Sequence, residues 1–77
     1  MKVKPLSQLP LGQTANIVSL NTGHELHRRL LELGFFPGNY VTPLYRSPFH
    51  DPVAYWIMGS VIALRCEEAG QILVLPL

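Results

Sequence analysis

A single cysteine, Cys66, means that no disulfide can close inside this chain of 77 residues, and the missing covalent staple fits a reducing compartment. Charge is scarce as well: 14% of residues are Asp, Glu, Lys or Arg, six basic against five acidic, for a formal net charge of +1. That near balance excludes the basic face or stripe with which proteins usually meet a nucleic-acid backbone. No apolar run approaches the roughly 18 to 20 residues that a bilayer crossing requires. The basic start M-K-V-K-P-L-S lacks the apolar region that a secretory signal carries behind it. No acid and base stand paired at a spacing usable for proton transfer, so an enzyme is the least supported class. The expectation is a cytoplasmic, non-enzymatic protein without a cofactor, without nucleic acid as partner and without direct membrane insertion.

What is present is a largely apolar chain, 48% hydrophobic, which is too much for a disordered tail. At this length one domain spanning 1–77 is expected, with a small core, since such a chain buries only about 60% of the surface that it exposes when unfolded. Ser7 is a candidate N-cap, but Pro10 permits at most a single turn there. Thr14 to Leu20 reads as the first strand, with Ile17, Val18 and Leu20 expected in the core.

One real helix follows. Thr22 and Glu25 stand in the S/T-x-x-E relation of a capping box, and Leu26, Leu30 and Leu33 fall on one stripe. Glu25 and Arg29 are in the favourable i, i+4 order. Gly34 suits the left-handed residue that ends a helix, and a Schellman motif there would pack Phe35 on Leu30. Pro37-Gly38 suits the two central positions of a type II turn.

Tyr40 to Arg46 is rich in β-formers, with Pro43 pointing to an edge or a bulge. Ser47 to Pro52 is a loop. Val53 to Met58 and Val61 to Arg65 form a hairpin around Gly59-Ser60. Cys66 to Gly70 makes one helical or 3-10 turn, and Gln71 to Leu75 is the last strand. Five short strands of this kind, without a repeat, fit a small, strongly bent barrel, which hides strand edges. An open α+β sheet with the helix on one face is the alternative.

The order of R-R-L-L-E-L-G-F-F-P-G, S-P-F-H-D-P-V-A-Y and G-S-V-I-A-L-R-C-E-E-A-G-Q-I-L-V resembles the FeoA family of small cytoplasmic proteins of ferrous iron transport. Arg29 to Gly38 matches its R-L-x-x-L-G-hydrophobic-x-P-G helix exit, Pro48 to Pro52 its P-x-x-D-P loop, and Gly59 to Val74 its G-x-x-I-A-L-R and E-A-x-x-I-x-V strands. The likeness covers nearly the whole chain after Ser7. It implies a mainly β fold: an SH3-like five-stranded barrel, one α-helix inserted after the first strand and a short helical turn before the last. It also implies no catalysis and association with the membrane ferrous iron transporter FeoB, whose GTP-binding domain lies on the cytoplasmic side. The protein would then sit at the inner membrane through that partner. The rival reading is the SH3-like regulatory domain of metal-dependent transcription repressors, binding a protein or a metal-linked ligand.

Val53 to Met58 departs from the family in being apolar on both faces. A small barrel buries one face of a strand, so either Val53, Tyr55 and Ile57 or Ala54, Trp56 and Met58 should stay exposed, as a contact surface for a partner or a second copy. Phe49, His50 and Asp51 of the loop, with Tyr55 and Trp56 of the strand, are the first candidates for partner binding. Arg28 and Arg29 come second, as guanidiniums that could reach a GTPase in trans, although a charged helix face is normally just solvated. Tyr40 and Tyr45 are expected in the core with most other aromatics. His24 and His27, three apart on the helix, lack the third ligand that a metal needs, and Cys66 has no partner in sequence for nucleophilic work.

Overall fold

The computed structural model describes residues 2–77. Its elements are β1 (Lys4–Pro5), a 3-10 turn (Leu6–Gln8), β2 (Ala15–Leu20), α1 (His24–Leu33), β3 (Tyr40–Arg46), β4 (Val53–Ile57), β5 (Ser60–Leu64), α2 (Cys66–Ala69) and β6 (Ile72–Pro76). The strands form one antiparallel sheet in the order β1-β6-β2-β3-β4-β5. The mainly β fold with its inserted helix and short second helix is as expected, with one strand more than the five read from sequence. The extra strand is β1, whose two residues pair with β6 and are too few to show an alternation.

The sheet bends at β3. Tyr40 and Val41 pair with β2, whereas Thr42 to Arg46 pair with β4. Pro43 lies past the last β2–β3 pair, and the register shifts between Pro43 and Tyr45, so Leu44 is the extra residue of a bulge. Pro43 thus stands next to a bulge and on a stretch of β3 that has run past β2, where its carbonyl accepts the Gly12 N–H at 2.7 Å, so both the edge and the bulge fit. A second shift between Ile17 and Ser19 leaves Val18 exposed. Val18 is therefore not a core residue, because the bulge breaks the alternation that would have buried it.

The helix begins one residue later than expected. Gly23 is the N-cap, without a side-chain cap, and its carbonyl accepts the His27 N–H at 2.8 Å. The Thr22 capping box does not form, and Thr22 Oγ1 is buried without a partner among the described residues. Starting at His24 makes Glu25 the second helical residue, where its charge still favours the helix N-terminus but its carboxylate is out of register with the cap. The exit is as expected. Gly34 has φ 109°, the Phe35 N–H donates to Leu30 O at 2.9 Å and the Gly34 N–H to Leu31 O at 3.1 Å, which is a Schellman motif. The Asn39 N–H closes the Pro37-Gly38 turn on Phe36 O at 3.1 Å, with Gly38 at φ 94°.

Leu30 and Phe35 enter one core with Leu6, Leu9, Ile17, Val41, Val53, Tyr55, Ile57, Leu64, Ile72 and Val74, and Leu26 and Leu33 pack on its margin. Each fully buried Leu, Ile or Phe contributes about 1.5–3 kcal/mol. β4 and β5 form the expected hairpin, but its turn is Met58-Gly59 and not Gly59-Ser60: both residues have positive φ (48° and 78°), the pattern of a type I′ turn that matches the twist of the strands, and Ser60 already pairs with Ile57.

Candidate functional site

The structure decides between the two faces of β4. Val53, Tyr55 and Ile57 are buried, and Trp56 and Met58 are 47% and 65% exposed; Ala54, expected to be exposed with them, is buried at 6%, on the outward side but opposite the larger Tyr45. Tyr55 is only 2% exposed, so the sequence-based candidate falls in the core and leaves the contact surface. Its ring meets Phe35 edge to face at 6.4 Å and 86°. Burial pushes its phenol up to about 12, with Cys66 and Asp51 nearby acting in the same direction and Arg46 against it.

Around Trp56 the outward side chains form a continuous uncharged face. Trp56 stands opposite Thr42 on β3 and Val61 on β5, and Ala54 stands opposite Tyr45 and Ala63. Tyr45 is 58% and Val61 50% exposed, and Tyr40, two residues before Thr42 on the same face, is exposed too. The expectation that Tyr40 and Tyr45 fill the core is therefore wrong. Val41 and Pro43 point inward, and an uninterrupted strand would turn Tyr45 inward after them. The extra residue Leu44 flips it outward. Sequence alternation pointed to Trp56, but the bulge that adds Tyr45 carries no signal beyond Pro43.

Beside this face the loop from Ser47 to Pro52 is held at its neck, where the Ser47 N–H donates to Pro52 O at 3.0 Å and the His50 N–H to Ser47 O at 2.9 Å. Phe49 at its tip is 89% exposed, and His50 is exposed next to it. Asp51 turns back to the protein. Its Oδ1 accepts the Cys66 N–H at 2.8 Å and its Oδ2 lies 3.8 Å from Arg65 Nη1, so it ties the loop to the start of α2.

The helix face is split. Arg28 is exposed, whereas Arg29 Nη2 lies 2.6 Å from Glu68 Oε2 on α2. The expected Glu25–Arg29 pair gives way to this longer-range one, because Glu68 is already fixed by accepting the Arg65 N–H on Oε1 at 2.9 Å. A shallow cleft on α1 is lined by Glu25, Leu26 and Arg29. Among the described residues no group of three or more His, Cys, Asp or Glu stands together to hold a metal ion. No helix among them is long and apolar enough to cross a membrane.

Comparison with known proteins places the whole chain in a family. The chain is 39% identical over 67 residues to an Fe(2+) transport protein A/Fe(2+) transporter FeoB fusion protein of Porphyromonas gingivalis, a match that spans 87% of this chain and 8% of the fusion. The solved structure of Stenotrophomonas maltophilia FeoA complexed with zinc, a procaryotic SH3 domain protein, is 34% identical, with TM-score 0.79 over 90% of this chain and 86% of that one. A manganese-dependent transcriptional repressor has the same fold at 19% identity, TM-score 0.88, over the whole of this chain and 38% of its own. The FeoA domain pattern itself runs from residue 4 to 76. From its first strand to its last, then, this chain belongs to the FeoA domain family of Fe(2+) transport, with its SH3-like fold.

Proposed function

We propose that this chain is a non-enzymatic accessory protein of ferrous iron transport, cytoplasmic and held at the inner membrane by docking on the GTP-binding part of FeoB. The observation that carries this reading is the Porphyromonas gingivalis relative, in which a matching segment is joined in one chain to the transporter. Physical linkage keeps two modules at high effective concentration, so even a weak contact between them is occupied. The uncharged face of Tyr40, Tyr45, Trp56 and Val61, with Phe49 beside it, supplies the type of surface such a contact needs, since aromatic anchors dominate interface energies. Arg28 is the helix cation open to a second, polar contact.

The test is binding of the purified cytoplasmic GTP-binding domain of FeoB to the chain, with and without nucleotide. Trp56→Glu is expected to weaken the complex at least about tenfold, roughly 1.4 kcal/mol, and Phe49→Ala to weaken it less. Unchanged affinity of a folded Trp56→Glu variant would remove this face from the proposal, and no binding in either nucleotide state would remove FeoB.

A further inference from the structure

We infer that β5 is a pairing edge for a second copy of this chain, β5 against β5, antiparallel across a two-fold axis at Ile62. β5 ends the strand order, so among the described residues one of its sides meets no strand. The β4–β5 ladder starts at the pair Ile57 and Ser60 and continues without a shift to Val53 and Leu64. With a two-residue turn the closing pair is hydrogen-bonded, and bonded and non-bonded pairs then alternate. Trp56–Val61 and Ala54–Ala63 are the non-bonded pairs, which turns the N–H and C=O groups of Val61 and Ala63 outward. Among the described residues no backbone bond outside the ladders engages them.

The two ends of the sheet differ in a way that selects β5. β1 is two residues long, contains a lysine and a proline and runs straight into a 3-10 turn; shortness, Lys and Pro are devices that keep an edge from pairing. The sequence Ser60-Val61-Ile62-Ala63-Leu64 has none of them. It is also self-complementary. A two-fold at Ile62 sets Val61 opposite Ala63 of the second copy and Ala63 opposite its Val61, each pair exchanging both of its hydrogen bonds. The uncharged face then continues from Trp56 and Val61 of one copy to Ala63 of the other.

Charge permits this arrangement. Arg65, the charged residue that follows β5, faces Gly59 of the second copy, which keeps the two guanidiniums at opposite ends, and a net charge of +1 gives little repulsion between copies. Area sets the strength. A five-residue edge at about 3.3 Å per residue and about 10 Å of sheet thickness, with part of Trp56 and Val61, covers roughly 300 Å² per copy, against about 800 Å² in a standard interface. The dimer is therefore weak and depends on concentration.

Sedimentation equilibrium of the full chain from roughly 10 µM to roughly 1 mM brackets such affinities. The mean mass is expected to rise from 8.6 kDa toward twice that value. Ala63→Pro deletes an outward N–H that the pair with Ala54 does not use, and Val61→Lys places a charge on the edge. Each is expected to hold the mass at one chain throughout, with the dispersed amide NMR spectrum of a folded protein. A wild-type mass that stays at one chain over the whole range overturns the inference. So does association that survives in folded Val61→Lys, which would assign the contact to another face, and so does a β5 whose amides gain hydrogen-exchange protection only on adding the FeoB domain, which would assign the edge to an extended segment of that protein.

Discussion

Gly34 is where the smallest chemical change has the largest expected effect. Its φ of 109° lies outside what a residue with a Cβ adopts at low cost, and a Cβ there would stand 3.0 Å from Met58 Sδ and 3.3 Å from Ile57 Cγ1. The backbone penalty is about 1–3 kcal/mol, whereas the Met58 thioether is the end of a flexible and exposed side chain that can swing aside. Gly34→Ala is therefore expected to lower stability by about 2 kcal/mol, read as a lower urea midpoint at unchanged m-value. Adding Met58→Ala should restore only a small part of that loss. Full restoration would show that the contact and not the backbone sets the cost.

At the scale of elements, α1 and α2 are joined by Arg29 and Glu68, and the two partners are not equivalent. Arg29 is the more exposed side chain, 56% against 21% for Glu68, and gives up a surface ion pair worth at most about 1 kcal/mol. Glu68 gives up that pair and its bond to the Arg65 N–H, another ~1 kcal/mol. Glu68→Ala should thus destabilise more than Arg29→Ala, and the coupling between them in a double-mutant cycle should shrink as salt is added. Equal losses would mean that the Arg65 contact contributes nothing. The elements themselves were largely legible: the leucine stripe, the Gly34 exit, the Pro37-Gly38 turn and the β4–β5 hairpin all follow from local chemistry. The cap at Gly23, the pair from Arg29 to Glu68 and the two-residue β1 were not, because each depends on a partner distant in sequence or on too few residues to form a period. Of the contact face, Trp56 could be read from alternation once one side of β4 had to be buried. Tyr40 and Tyr45 could not, since composition favours aromatics inside and only the three-dimensional register places them outside.

For the whole molecule, Tyr55 makes stability depend on alkaline pH. Its pKa, 10.0 when unperturbed, rises to about 12 in the folded chain, so between these values the unfolded chain loses this proton before the native one does. Stability from this group is complete below pH 10 and declines as pH rises toward 12. Urea midpoints measured across that window should fall in the wild type and fall less in Tyr55→Phe; parallel curves would show that Tyr55 contributes nothing to the slope. The bulge at Leu44 also bears on how relatives should be aligned. A one-residue gap between Pro43 and Arg46 is ordinarily dismissed as drift in strand length. In this fold such a deletion would move the next aromatic from surface to interior and remove Tyr45 from the face proposed to meet the transporter. Presence or absence of that single residue, more than percentage identity, is therefore the feature by which relatives sharing this docking surface can be sorted from those that do not.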